Sequence, residues 1–403
     1  LDSKMKRQRT ASFQNATETL LTHLSSIGAS YPKLSFHKTM TSGMTAIAKS
    51  AIDSGEIIFT LPKTSLITSS KINQSLLGKS LSHHLQHNAI VSNELILCLY
   101  LILAQRTTDH PFHLYAKSLS KIPPDTTHWP IHIQSRVRGT VASATNKALF
   151  ELQQWYTFCS TTGNLQVSPF DLEKPTMEEL KWARGYVVSR RFPENPSSTS
   201  TSTSTSSTST SDYTYSMLPG MDLLNHSNDV QMEWKVDEIG TVRFQTMTAV
   251  QEGEECLNNY GSKSNTQLLF MHGFALPNNP YDVVELSLKT QDSNGNVSIL
   301  WQDSFYGNET EIPFAMLENF LDDNVDNETE RIISSEVVLY CLDWIQTYLT
   351  PLEEYQQEEL RILNMNQEDK KEIDSRLLWI AIHHASQRKI LLHIQSLLNK
   401  LLQ

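Results

Sequence analysis

The order of local patterns along this chain limits its fold more than any single motif: short strands, then a long helical stretch, then short strands again. Residues 44–67, "MTAIAKSAIDSGEIIFTLPKTSLI", read as two short strands around an Asp53-Ser54-Gly55 turn. Residues 231–250 repeat the theme: "QMEWKV" alternates apolar and polar, "DEIG" turns, and "TVRFQTMTAV" returns with Val242 and Phe244 on one face. The stretches "NELILCLYLILAQRT", "SRVRGTVASATNKALFELQQWYTFC" and "TMEELKWARGYVV" lie between and read as helices. Thr176 and Glu179 stand as a capping box at the head of the last one. The pattern implies a helical insert, about 93–185, inside a strand-built domain.

After about residue 284 the chain turns helical again. "SSEVVLYCLDWIQTYLTPLEEYQQEELRIL" and "EIDSRLLWIAIHHASQRKILLHIQSLLNKLL" carry apolar residues at helical spacing, with Leu391, Ile394, Leu398 and Leu401 on one stripe. The expected fold class is therefore α+β: a domain of short strands with a helical insert over 31–283, then an all-α domain over 284–403. Residues 1–30 are expected to be a tail with a short helix. Its opening "SKMKRQRTASF" suits a disordered tail or the end of an organelle-targeting segment. The tract "PSSTSTSTSTSSTSTSD", 196–212, has no large apolar residue to bury and is expected to be a disordered loop.

Composition narrows the function classes. With 403 residues and 39% hydrophobic content, the chain can build two domains, or one with a large insertion. A net charge of -11 argues against a nucleic-acid partner. The apolar run "LILCLYLILA" is too short to span a bilayer and reads as a buried helix, so no membrane partner is expected. Cys98, Cys159, Cys256 and Cys341 are far apart, without a CxxC pair, which speaks against a cysteine zinc cluster and for reduced thiols. His83 and His87 are spaced i, i+4 on a helix, but no glutamate completes an HExxH pattern, and no metal site is expected. His383-His384 reads as a solvated helix face. Neither a Gly-x-Ser-x-Gly elbow nor a P-loop is present.

What remains is a set of polar residues at the ends of apolar stretches: Arg190 in "YVVSRRF", Asn225 and His226 in "DLLNHS", and Tyr260 in "NNYGSKSNTQLLFMHGF". Taken singly, each has an ordinary structural explanation: an ion-paired arginine, an Asn-His turn, a core aromatic. As an ordered series they resemble the SET-domain protein methyltransferases, and within them the Rubisco large-subunit lysine methyltransferase class. Ser189-Arg190-Arg191-Phe192, Asp222 to His226, and Tyr260 to Asn265 match the family's three motifs in order. The helical insert and the helical C-terminal domain match the class as well, the latter as its substrate-binding domain.

The resemblance implies an S-adenosylmethionine-dependent protein N-methyltransferase acting on lysine of a non-histone protein. It places Asn225 and His226 at the cofactor, Arg190 against the cofactor carboxylate, Tyr260 beside the sulfonium and incoming amine as the catalytic residue, and Gly43 and Met44 in the cofactor-binding turn. One departure stands out. The family's turn has Gly-x-Gly, whereas this chain has "SGMTA", with Gly43 but Thr45 where the second glycine would stand. If a side chain there crowds the pocket, cofactor affinity is weakened, but Arg190, Asn225, His226 and Tyr260 all remain, which favours a competent enzyme. Two other readings stay open: a non-catalytic SET-fold scaffold, and a histidine N-methyltransferase, against which Phe192 counts because it offers an imidazole nothing to bond. A chromatin enzyme is disfavoured by the acidic charge and the absence of a cysteine-rich segment after Tyr260. The protein is expected to be a monomer in the cytoplasm or an organelle such as a plastid.

Overall fold

Strands from the two ends of the first domain pair with each other. In the computed structural model, β1 (Leu34–Lys38) lies antiparallel to β2 (Met44–Ala48), and β3 (Glu56–Leu61) joins β10 (Val242–Thr246), which in turn pairs with β9 (Met232–Val236). The register sets Phe59 opposite Phe244 and Leu61 opposite Val242, so the apolar faces read from the sequence coincide. Three shorter strands, β4 (Ile67–Thr68), β8 (Tyr215–Met217) and β7 (Arg191–Pro193), form a further antiparallel sheet in the order β4-β8-β7. The structure describes residues 15–39, 43–87, 92–161, 165–167, 170–193, 215–291, 297–307, 311–312 and 335–403. The Ser/Thr tract and the basic opening segment lie outside them.

The helices expected between the strands form where the periodicity places them. α1 covers 15–26, α2 is Ser69–Gln74 and α3 is Leu76–His87. The side chains of His83 and His87 on α3 lie outside the described residues. α4 (Asn93–Arg106) is buried from Leu95 to Ala104 except at Tyr100, which explains why its run is apolar all round. After the short α5 (His113–Ser118) and α6 (Ile131–Gln134) comes the long α7 (Gly139–Thr161). A small hairpin of β5 (Leu165–Val167) and β6 (Phe170–Leu172) precedes α8 (Met177–Arg190), which packs on α4. The Thr176–Glu179 capping box is formed reciprocally. Arg190 is the last residue of this helix.

The chain divides into two compact units, Leu1–Pro124 with Ala148–Ser262, and Asp125–Lys147 with Lys263–Gln403. In the first, Phe59, Leu61, Val242, Phe244 and the buried face of α4 share one core. In the second, after the short α9 (Asn265–Gln267), α10 (Ser335–Glu353), α11 (Gln356–Asn364), α12 (Gln367–Glu372) and α13 (Ser375–Lys400) follow one another. Leu391, Ile394 and Leu398 are buried there against Val338, Cys341 and Ile345, while Leu401 lies past the helix end and is exposed.

Two expectations for this unit need correction. It is not all-α: β11 (Val283–Gln291) and β12 (Val297–Tyr306) form an antiparallel ribbon ahead of the helices, and α13 packs on it. The ribbon buries Leu286 and Phe305 in the helical core. Its strands alternate with period two, a weaker signal than the long helical stripes that follow. His383 and His384 are not a solvated face. Both are almost completely buried, because Glu359 on α11 accepts a hydrogen bond from His384 Nδ1 (2.7 Å) and Thr266 bonds the His383 ring (3.2 Å).

All four cysteines are buried free thiols. Among the described residues, no helix is long and apolar enough to cross a membrane, and no group of three or more His, Cys, Asp or Glu could hold a metal ion.

Candidate active site

The site is built where two stretches of chain meet in parallel. β8 runs into a 3-10 turn, Met221–Leu223, entered through Gly220 in the left-handed region at φ 88°. A Cβ at Gly220 would come within 3.0 Å of Phe59 and 3.1 Å of Leu24, so both backbone conformation and space require glycine. Beyond the turn, His226 forms a parallel bridge with Asn258. The Asn258 N–H donates to the Asn225 carbonyl at 2.7 Å, and the Ser227 N–H to the Asn258 carbonyl at 3.0 Å. These bonds hold the Asn-His dipeptide extended and carry Tyr260 to it.

Each side chain is then fixed by named partners. The Asn225 amide donates to the Met44 carbonyl (3.0 Å) and to the Glu255 carboxylate (2.7 Å). The Tyr260 backbone N–H donates to His226 Nδ1 at 3.0 Å, which leaves the neutral imidazole its proton on Nε2. The two rings stack at 4.9 Å with 21° between planes. The Tyr260 hydroxyl donates to the Leu224 carbonyl at 2.9 Å. Burial pushes this phenol up to about 12, the Arg190 charge opposing and the Asp222 and Glu255 carboxylates reinforcing. It is a neutral hydroxyl at any ordinary pH.

Arg190 reaches the same place from the end of α8. It donates from Nη1 to the Asp222 carbonyl at 2.8 Å and lies 3.3 Å from the Asp222 carboxylate. Burial alone would weaken the guanidinium's hold on its proton. The Asp222 carboxylate, with the Tyr115, Tyr186 and Tyr260 phenols, more than reverses this and the net shift is upward. Asp222 also accepts the Tyr115 hydroxyl at 2.6 Å and the Gly220 N–H at 3.1 Å. Burial first, and then Asp222, holds the Tyr115 phenol well above its usual range.

Of the residues singled out in the sequence, Asn225, His226, Tyr260 and Met44 are brought together directly. Arg190 joins them through Asp222 and the turn that leads to Leu224, so its carboxylate partner in this structure belongs to the protein. Gly43 precedes Met44 at φ 79°, and no atom lies within 4 Å of where its Cβ would be. Asp222, Tyr115 and Glu255 had been given no role. Asp222 lies inside the quoted "DLLNHS", and Glu255 ends the "GEE" shortly before "NNYG", but nothing local marks Tyr115.

A family model for the SET domain matches residues 43–261, more than half of the chain. The chain belongs to the SET-domain family. The SET match begins at Gly43 and ends just past Tyr260, so it encloses every residue of the site described above. Among curated proteins, the chain is 26% identical over 248 residues to ribosomal lysine N-methyltransferase set10 of Schizosaccharomyces pombe, which covers 60% of this chain and 42% of that protein. It is 24% identical over 269 residues to the N-lysine methyltransferase SETD6 of Mus musculus, covering 64% and 54%. The chain thus spans about half the length of these curated relatives. A crystal structure of the SET domain of LSMT bound to lysine and AdoHcy superposes with a TM-score of 0.69 at 18% identity, over 96% of this chain and 91% of that one. That likeness gives the fold: small antiparallel sheets in the SET region, followed by a helical C-terminal region.

Proposed function

We propose that this SET-domain protein is an S-adenosylmethionine-dependent N-methyltransferase acting on lysine of a non-histone protein. The observation that carries the reading is the parallel crossing of Asn225–Ser227 with Asn258, which stacks a half-buried, neutral Tyr260 phenol on His226 beside Asn225. The named activities of the relatives point the same way.

The residues present suit the cofactor. Thr45, beside the Met44 carbonyl that receives Asn225, has a hydroxyl buried without a hydrogen-bond partner among the described residues. Such a group is what a polar ligand satisfies. Asn225, Met44 and the backbone around Gly43 would hold its amino-acid end, His226 its nucleoside side, and Arg190 would add positive charge toward its carboxylate. When bound, S-adenosylmethionine supplies a methyl group on a positively charged sulfur, a carbon already activated for displacement.

The side chains then have limited tasks. Tyr260 keeps its proton, so it orients and does not abstract. Its ring, stacked on His226, excludes water from the line of attack. A lysine amine, with an ordinary value near ~10.4, must arrive neutral, and the positive sulfur of a bound cofactor together with the apolar ring would disfavour the ammonium form. Phe192 supports lysine over histidine: its ring meets Trp234 and Phe244 edge-on and offers no hydrogen-bonding atom. We assign 31–283 to the catalytic domain, with its insert at about 93–185, and 284–403 to substrate binding, in a protein acting as a monomer.

The test is transfer of a labelled methyl group from S-adenosylmethionine into a ribosomal-subunit preparation and into total soluble cell protein, followed by hydrolysis and amino-acid analysis. Label recovered as methyl-lysine, and lost with Tyr260→Phe, supports the reading. Label recovered as methyl-histidine overturns the lysine assignment. A chain that binds the cofactor and labels neither preparation favours the scaffold.

A further inference from the structure

β2 presents two faces, and one residue is out of keeping with its own. Met44, Ala46 and Ala48 are 5%, 0% and 1% exposed and belong to the core of the first unit. By the period of two in a strand, Thr45 points to the opposite side. There Ile47 is only half-buried, yet Thr45 is 4% exposed, and its Oγ1 has no hydrogen-bond partner among the described residues.

A buried hydroxyl without a partner is disfavoured relative to valine, which fills nearly the same volume with no polar atom. Thr45 is also β-branched, so its χ1 is restricted in a strand and the hydroxyl cannot swing away freely. Its location narrows what could bond it. One edge of β2 is taken by β1, where Thr45 faces His37. Along the other edge, the Met44 carbonyl receives the Asn225 amide, the Ala46 carbonyl receives the Cys256 N–H at 2.7 Å, and Ile47 bridges Glu255. Thr45 therefore falls between the attachment points of the two chain segments that make the site.

We propose that the Thr45 hydroxyl is a binding residue for the amino-acid end of S-adenosylmethionine and sets cofactor affinity in this protein. This rests on the methyltransferase reading given above. A hydroxyl both donates and accepts, so it matches either the carboxylate or the ammonium of that end. The amino-acid end is the part in question because Thr45 adjoins the Met44 carbonyl on which Asn225 is anchored. The side chain that stands where the family's turn has its second glycine thus supplies a contact.

The test compares wild type, Thr45→Val and Thr45→Ser by calorimetric titration with S-adenosylhomocysteine and with methylthioadenosine, which lacks the amino-acid end. The melting temperature of each free protein is measured alongside. Loss of one hydrogen bond should weaken S-adenosylhomocysteine binding by Thr45→Val roughly threefold to tenfold. Thr45→Ser should stay close to wild type, and methylthioadenosine should bind all three proteins equally. Free Thr45→Val should melt at or above wild type, since an unsatisfied polar atom has been removed. Equal S-adenosylhomocysteine affinity in wild type and Thr45→Val overturns the proposal while leaving the methyltransferase reading intact. So does an equal loss toward both ligands, or a lower melting temperature of free Thr45→Val, which marks a structural hydroxyl. Failure of the wild type to bind S-adenosylhomocysteine overturns both.

Discussion

Replacing Asp222 by Asn removes a charge and little else, and the structure fixes what that charge holds. Its side chain is 1% exposed and serves Arg190 at 3.3 Å, the Tyr115 hydroxyl at 2.6 Å and the Gly220 N–H at 3.1 Å. At 3.3 Å and an effective dielectric of about 20, the Arg190–Asp222 attraction is about 5 kcal/mol. Removing one partner of a buried pair costs about 3–5 kcal/mol. Arg190 keeps 21% of its side-chain surface in water, which argues for the lower end, about 3 kcal/mol. Tyr115 exchanges a charged acceptor for a neutral one, adding about 1 kcal/mol. Asp222→Asn should therefore destabilise the first unit by about 4 kcal/mol, measured by urea unfolding followed by circular dichroism. The double variant Arg190→Met with Asp222→Asn should cost less than the sum of the two single changes, because no uncompensated cation is left. A loss below about 1 kcal/mol for Asp222→Asn, or strict additivity in the double variant, would refute the pairing as described.

Three further expectations follow from the same geometry. Tyr260→Phe removes the hydroxyl that bonds the Leu224 carbonyl and should lower methyl transfer roughly 10²-fold while cofactor affinity changes little; transfer within a few-fold of wild type would remove Tyr260 from the reaction. Glu359 is 4% exposed and holds both His384 Nδ1 (2.7 Å) and Arg388 (2.8 Å), while His384 Nε2 accepts the Arg138 N–H, so Glu359→Gln should cost about 3 kcal/mol or more in urea unfolding of the second unit. Burial, aided by neighbouring histidines, lowers His383 well below its usual value and His110 to about 4. Both stay neutral in the folded protein while the unfolded chain takes up protons near ~6.5. Their contribution is thus complete above that pH and is lost as pH falls toward about 4, by up to about 1.4 kcal/mol per pH unit for each; a melting temperature flat between pH 7 and 4.5 would contradict it.

The strand pairing and the helical insert were legible because both rest on periodicity, and Phe59 meeting Phe244 needs only matching apolar faces. The site motifs were legible because Asn225, His226 and Tyr260 work through backbone geometry confined to two short segments. What stayed hidden depends on contacts between residues distant in sequence. Tyr115 and Asp222 have no local pattern in common, and their bond exists only because α5 and the Met221–Leu223 turn share one core. His383 and His384 read as solvated because a helix sequence shows which face is polar, not whether Glu359 and Thr266 wait to receive it. The β11–β12 ribbon carries a turn signal, Asn294-Gly295, outside the described residues, but the stronger stripes that follow masked its alternation. Thr45 was visible as a departure. Only the structure shows its hydroxyl buried and unsatisfied.

The central claim is that Asn225, His226 and Tyr260 frame a site for S-adenosylmethionine. Calorimetric titration of the purified chain with S-adenosylmethionine, beside an Asn225→Ala control, tests it most directly. The account expects saturable binding at one site by the wild type and at least a tenfold loss in Asn225→Ala, whose missing amide no longer ties Met44 to Glu255. Absence of binding by the folded wild-type chain, or equal binding by the variant, would contradict it.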